Sequence, residues 1–555
     1  MADTSTQGQL GTAAPAGGAG SADHFSRRTW QAQLAAVPRR VRDAIRINWQ
    51  FSLVALAAIL LRVVVILGYP AIMWFNDSFN YFDDAVSMTP DVIRPNGYPF
   101  FLAVLLPLHN LYVIAVAQAG LGAVMGILIY ALLRRRGVPW WGATLAALPV
   151  MFDVFELQLE HMITADTLFT FLVTVALVLC CWRDRPSVPV IAIAGLLIGY
   201  ATVVRSVGQP MLVVFLVAML ARRVGWLRFA ALAAGAIVPV VSYMAWFHGT
   251  TGQYALTNSR GSFLYSRVST FAECAKMHVT ASDGDLAKLC DPVPPEDRPP
   301  SGEYIWANNE LIYGNYQHWA TPLYRWLKND NTLRFTPRFE TVAQKFAIRA
   351  ITSQPVDYAR VVIKDTLHTF GWNRQPDPYG SNGIGPDYSF TSAPGTLPWW
   401  ACGAKGSGPG CYLDNSGDHA AATLNYQLTS RFGGGAGEER VVQPWSTFVQ
   451  DYQRVVYLPG TVLGLIVLLG AAGLVLRWRR WGGLGLLPWL TGALLIVLPP
   501  LTAGFSYRYV LAAVPAACIA AGLMFAAPRP GEKPVGEIVR GLGRYVGRGV
   551  AVDQE

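Results

Sequence analysis

The sequence predicts a mainly α, polytopic membrane protein of about ten transmembrane helices that carries a loop-rich or α+β extracytoplasmic domain. Three observations lead there. The 555 residues are 52% hydrophobic and only 14% charged, with a mean hydropathy of +0.31, a balance that soluble domains of this size rarely show. Apolar runs near the bilayer-crossing length of about 20 residues recur in two blocks of the chain. Basic residues gather in short clusters between those runs, the asymmetry that orients membrane helices.

The elements follow in order. Residues 1–48 read as a cytoplasmic segment. Its first 23 positions are rich in Ala, Gly, Ser and Thr without periodicity and are expected to be disordered. No cleavable signal is visible before the first apolar run near Phe51, so that run is expected to act as an uncleaved anchor. Spans are expected near 51–69, 111–133, 138–153, 163–182, 188–204, 207–221, 226–247, 455–476, 484–503 and 507–526. The apolar piece 98–108 reads as a span or a re-entrant segment. The resulting domains are a membrane core over 49–247 with an acidic outer loop 70–110, an extracytoplasmic domain over 248–454, C-terminal helices over 455–527 and a basic tail over 528–555.

Net charge is +9 and pI about 9.2. The basic clusters (RRVRDAIR before the first run, Arg134 to Arg136, Arg183 and Arg185, Arg222 and Arg223, Arg477, Arg479 and Arg480, and the tail) all thread to one side, so the charge reads as positive-inside bias and predicts no nucleic-acid partner. Arg outnumbers Lys, and Ala, Gly and Pro are abundant, as in proteins of GC-rich bacteria. The expected location is the bacterial plasma membrane. With the basic clusters inside, loop 70–110, the short loop 154–162, the turn at Arg205 and Ser206, the region 248–454 and the loop Phe505 to Arg508 share the outer face.

Seven cysteines divide into two groups. Cys180, Cys181 and Cys518 lie in apolar runs. Cys274, Cys290, Cys402 and Cys411 share the long polar region, where an oxidising compartment would allow two disulfides; four cysteines admit three pairings, of which 274–290 and 402–411 are the most economical. Zinc-ligand spacing is absent. Within 340–370 two amphipathic helical halves are expected, broken near Pro355. The clusters YGNYQHW (313–319) and FGWNR (370–374) combine rings with polar groups and read as sugar-stacking surfaces or as plain core.

Candidate chemistry concentrates in NDSFNYFDDAVS, residues 76–87. On a helix, Asp77, Tyr81 and Asp84 fall on one face. Asp77 and Asp84 would stand roughly 10 Å apart along the axis, too far to share a proton but suited to separate tasks. Asp83 and Asp84 are acceptor- or cation-binding candidates, as are Glu160 and His161 in the second outer loop. Together with Asp77 these could hold a divalent cation, Mg or Mn; no cofactor is required by the pattern. Asp166, further into its run, reads as a functional or a buried structural acid. Arg205 and Arg508 stand at the outer ends of apolar runs, where an unpaired charge is expensive and marks either function or snorkelling to headgroups. Tyr509 flanks Arg508.

The pattern from Asp77-Ser78-Phe79-Asn80-Tyr81 to Ala85, followed by RPNGYPFFLAVL, resembles the first outer loop of the GT-C glycosyltransferases that use polyprenyl-phosphate sugars. It is similar to the protein O-mannosyltransferase and aminoarabinose-transferase group. TADTLFTFLV (164–173), GLLIGYATVV before Arg205, and SYRYVLAAVPAACIA (506–520) follow in the family's order. The resemblance implies a GT-C fold, an inverting transfer with Asp77 as the base, and an Arg508–Tyr509 pair at the donor phosphate. The implied partners are a polyprenyl-phosphate-linked sugar, such as arabinofuranose or mannose, membrane lipids, and a glycan, lipid or protein acceptor of the cell envelope. The long outer insertion departs from the simplest relatives. A lipid or polysaccharide transporter would share the hydrophobicity but should carry repeated halves, which the sequence lacks; a non-catalytic envelope scaffold would tolerate loss of Asp77.

Overall fold

The computed structural model describes residues 37–306, 335–372, 389–392, 397–398, 411–412, 440–476 and 484–527. Contacts divide the chain into a unit ending at Leu56 and a second beginning at Ala57. The first holds the basic helix α1 (Val37–Ile47), whose Arg46 complements the helix C-terminus, and the opening turns of α2 (Trp49–Gly68).

In the second unit, α3 (Asn76–Ser87) and α4 (Gly97–Leu105) lie between α2 and α5 (Leu111–Arg135). Then come α6 (Trp140–Phe152), α7 (Val154–Glu160), α8 (Ala165–Cys181), α9 (Val188–Val204), α10 (Gly208–Ala221) and α11 (Trp226–Thr251). The polar region contributes α12 (Arg260–Ser269), α13 (Ser301–Trp306), α14 (Pro337–Ser353), α15 (Pro355–His368) and α16 (Trp445–Gln453). Last are α17 (Gly460–Leu476), α18 (Leu486–Thr502), α19 (Tyr507–Leu511) and α20 (Val514–Met524).

Among the described residues, four stretches are long and apolar enough to cross a bilayer: Trp49–Gly68, Leu111–Arg135, Trp226–Thr251 and Tyr507–Met524. The pair α6 and α7 forms a fifth, bent by 53°. Helices α8, α9, α10, α17 and α18 are apolar but shorter, the 17-residue ones reaching roughly 26 Å of a hydrocarbon core of about 30 Å. The chain is a mainly helical polytopic membrane protein, with an apolar helix at each expected span. The piece around 98–108 is nine helical residues and a three-residue 3-10 turn. At roughly 18 Å it is too short to cross by itself.

Small residues set the closest helix pairing. In GLLIG of α9, a side chain on Gly195 would meet the Leu232 carbonyl of α11 and one on Gly199 the Ala236 carbonyl, while Gly235 of α11 lies against the Ala192 carbonyl. Without these glycines the two backbones could not approach, the usual logic of small-residue packing where both surfaces are apolar.

The described part of the polar region is helix and loop around a core of Tyr265, Phe339, Phe346 and Ala347. Among the described residues, its β pairing is limited to Leu397–Pro398 with Cys411–Tyr412, so the α+β alternative gives way to helices. Glu340 of α14 caps α12, accepting from the Gly261 and Ser262 amides at 2.6 and 3.1 Å, which satisfies donors that helix geometry leaves open. Helices α14 and α15 break at Gln354, before Pro355. Cys274 and Cys290 are joined by a disulfide. Residues 313–319, Asn373, Arg374, Cys402 and the Cys411 side chain lie outside the described residues.

Candidate active site

Two loop segments are pinned together first. The Met73 amide donates to the His161 carbonyl at 2.9 Å and the Ile163 amide to the Met73 carbonyl at 3.2 Å. Ser78 then donates to the Ile163 carbonyl at 2.7 Å and accepts from the Phe75 amide at 2.8 Å. These bonds fix the first turn of α3 and, on it, Asp77.

Three arginines converge there. Arg94 donates to one Asp77 oxygen at 2.6 Å and Arg508 to the other at 3.0 Å. Arg508 also reaches Asp166 at 3.4 Å, and Arg205 pairs with the second Asp166 oxygen. The five groups come from the start of α3, the loop before α4, the start of α8, the end of α9 and α19. Rings enclose the guanidinium groups: Arg508 lies over Phe75 and Tyr509, at 4.9 and 5.4 Å, and Arg205 over Tyr509 at 5.0 Å. Tyr81 is buried, meets Tyr98 edge-on at 5.1 Å and carries Arg94 at 5.9 Å from its centroid. Arg205 and Arg508 therefore face carboxylates rather than headgroups.

The electrostatics follow from this contact set. Burial alone would raise the Asp77 carboxyl, but Arg94 and then Arg508 outweigh it and hold it below the ordinary carboxylate range. Such a group is ionised, doubly engaged and weakly basic. In this arrangement Asp77 holds two arginines, and a role as proton acceptor requires its release from them.

The loop carrying Arg94 is braced by Asn96. Its side chain donates to the Thr89 carbonyl at 2.7 Å and accepts from the Asp91 amide at 3.0 Å and the Tyr243 hydroxyl at 3.2 Å. Arg94 also lies 3.7 Å from Asp91. Asp84, 9% exposed, sits near this loop, and one of its oxygens is enclosed without a hydrogen-bond partner among the described residues. Burial, then Asp91 and Asp83, push its carboxyl up to about 8. Asp83 is less enclosed and is raised by burial alone.

Glu160 and His161 are engaged with partners of their own. Glu160 is 2% exposed, and both its oxygens accept from Arg62 of α2, at 2.6 and 2.7 Å. It also fills the space beside Gly122, where any side chain would collide with its carboxylate. A charge so deep persists only when paired, and here both oxygens are paired with one guanidinium. His161 gives its Nε2 to the Tyr69 carbonyl at 2.6 Å. Among the described residues no group of three or more acids, histidines or cysteines is gathered for a metal ion.

Sequence reasoning missed Arg94 as a site residue and Arg62 as the partner of Glu160. Arg62 did carry a signal, being a charge within an apolar run. Arg94 carried none beyond its place in an acidic loop.

No family model matches the chain, and no curated protein matches it. Among solved structures it is similar to ArnT from Cupriavidus metallidurans bound to undecaprenyl phosphate, at 14% identity over 86% of this chain and 77% of that one. The TM-score of 0.30 marks a likeness too distant to carry an argument about the site.

Proposed function

We propose that this protein is a GT-C glycosyltransferase that moves a sugar from a polyprenyl phosphate to a cell-envelope acceptor on the outer face of the plasma membrane, with inversion. The observation that carries the reading is the convergence of Arg94, Arg205 and Arg508 on Asp77 and Asp166. Guanidinium groups oriented in advance and partly dry are suited to a leaving phosphate, whose charge grows as the glycosidic bond breaks. Bound carboxylates keep them apart and aimed when the site is empty. The donor phosphate then replaces carboxylate oxygens at Arg508 and Arg205, and the lipid tail lies among apolar helices.

Arabinofuranose and mannose are the first donors to test, and glycan, lipid and protein fractions of the envelope the first acceptors. The purified protein in liposomes would be given radiolabelled polyprenyl-phosphate sugars and an envelope extract, with and without Mg²⁺ or Mn²⁺. Sugar incorporation that Arg508→Ala abolishes supports the reading. Absence of incorporation from every donor turns it toward lipid transport or scaffolding, and the metal arms decide whether a divalent cation takes part.

A further inference from the structure

We propose that α15 (Pro355–His368) is an interfacial helix that lays its exposed face on the bilayer surface. Val356, Ile363 and Leu367, with Trp372 just beyond the helix, enter the headgroup layer, and Arg360 and Lys364 meet lipid phosphates. The inference rests on the polytopic membrane fold and is independent of the transferase reading.

The residue pattern comes first. At 3.6 residues per turn, the spacing of Val356, Ile363 and Leu367 puts all three within an arc of about 40°. Each is more than half exposed, as is Trp372. Arg360 and Lys364, both exposed, border this stripe along one side. The opposite face of the helix is occupied by protein. Tyr358 donates to the Leu501 carbonyl at 2.7 Å, Asp365 accepts from Arg267 of α12 at 2.7 Å, and Val362 is buried. The neighbouring α14 carries no such stripe, exposing Thr341, Lys345 and Thr352 beside Ile348. Exposed apolar residues scattered singly are ordinary; a continuous row of them marks a surface that something covers.

Contacts with the apolar helices fix the level at which the stripe lies. Leu501 belongs to the last turn of α18, so the first half of α15 sits at the end of an apolar helix. At its other end, a side chain on Gly460 would meet the Thr369 and Gly371 carbonyls, and one on Gly464 the Phe370 ring. Gly460 opens α17, and Gly464 lies about one turn further in. The chain leaving α15 therefore reaches into the level of an apolar helix whose next exposed side chains are Leu465, Leu468 and Leu469. Helix α15 thus runs from the end of α18 to the start of α17, along the plane where apolar helices give way to polar chain. At that level the bilayer itself offers a continuous apolar surface to the whole stripe.

The flanking residues suit the same occupant. Long basic side chains can lay their stems along acyl chains while their heads reach the phosphates. Arg360 now donates to Asp357 at 3.1 Å, an exposed pair of little strength that a lipid phosphate can replace. A tryptophan such as Trp372 is favoured in the headgroup layer, where its ring is buried and its N–H stays wet. His368, at the end of the helix, meets Phe505 edge-on at 4.7 Å, three positions before Arg508, so the docked helix also braces the segment that leads to this arginine.

The test uses the full-length protein in phosphatidylcholine nanodiscs, with a solvatochromic amino acid in place of Ile363 or, as a water-facing control, of Lys345. Emission is quenched either by aqueous iodide or by phospholipids that carry a nitroxide near the headgroup or near the chain end. The probe at 363 should be quenched by iodide about fivefold less than the probe at 345, and more strongly by the shallow nitroxide than by the deep one. Val356→Glu/Leu367→Glu alters exposed side chains only, so it should fold with an unchanged melting temperature in detergent, yet raise iodide quenching at 363 toward the control. Arg360→Gln/Lys364→Gln should weaken shallow-nitroxide quenching by about twofold. Equal iodide quenching at 363 and 345 would place the stripe in water and overturn the proposal. Protection from iodide and from both nitroxides would overturn it too, by showing that protein, another segment of this chain or a second copy, covers the stripe. Shallow quenching unchanged in Val356→Glu/Leu367→Glu would mean that the stripe does not hold the helix at the bilayer, and the same result in Arg360→Gln/Lys364→Gln would strike out the phosphate contact.

Discussion

The Arg508 guanidinium donates to the Asp77 carboxylate at 3.0 Å, joining residues 431 positions apart. Under the proposed function, a phosphate that reaches Arg508 competes with this carboxylate for the same donor. Asp77→Asn removes the competitor's charge and should tighten polyprenyl phosphate binding about tenfold, or ~1.4 kcal/mol. Arg508→Lys loses the two-point fork and should lower kcat/KM by about tenfold to a hundredfold. Equilibrium binding by isotope-labelled polyprenyl phosphate and steady-state transfer measure the two effects. Unchanged affinity in Asp77→Asn would mean that phosphate does not displace this carboxylate.

The Arg62–Glu160 pair makes a different prediction, since it holds helices rather than substrate. Glu160→Gln leaves the Arg62 charge buried without its counter-ion, a loss of about 3–5 kcal/mol. The variant should melt well below wild type in detergent, yet transfer at a normal rate at temperatures where it remains folded. Loss of transfer with unchanged melting would make Glu160 a substrate-binding group.

The Cys274–Cys290 bridge closes a loop with a sequence separation of 16. Chain-entropy reasoning gives such a bridge about 3 kcal/mol. Its partner cluster of Tyr265, Phe339 and Phe346 should therefore unfold at lower temperature in Cys274→Ser/Cys290→Ser or under reductant. Protease sensitivity confined to 260–370 would be the readout, with the apolar helices unaffected.

What was legible in the sequence divides by physical cause. Apolar runs declare themselves by length, so the helices at 51–69, 111–133 and 226–247 needed no tertiary information. That Arg205 and Arg508 need partners was legible because charge at the end of an apolar run is costly, and both are ion-paired. Arg94 was not, because an arginine in a polar loop is ordinary; only the fold brings it across 17 positions to Asp77. The Glu160 partner was hidden for the converse reason. Arg62 lies 98 positions away inside α2, and no local pattern joins the two. The roles of Asp77 and Asp84 also depend on which carboxylate the arginines engage, a tertiary fact that helical spacing alone cannot supply.

The raised Asp84 carboxyl predicts a pH dependence of stability that is independent of any assay of transfer. In the unfolded chain this group ionises near its ordinary value of 3.8, whereas in the fold it stays protonated up to about 8. Between those values the folded state binds more protons, so the contribution to stability is complete below about 4 and is lost as pH rises through about 8. Asp84→Asn removes the titration while keeping the shape. The melting temperature of wild type relative to Asp84→Asn should therefore fall steadily from pH 5 to pH 9, with the change ending near pH 8 to 9. A difference that stays flat over this range would mean that Asp84 is ionised in the fold at neutral pH. The neighbouring Asp91 and Asp83, both raised by burial, slope in the same direction, and comparison with Asp83→Asn separates their share.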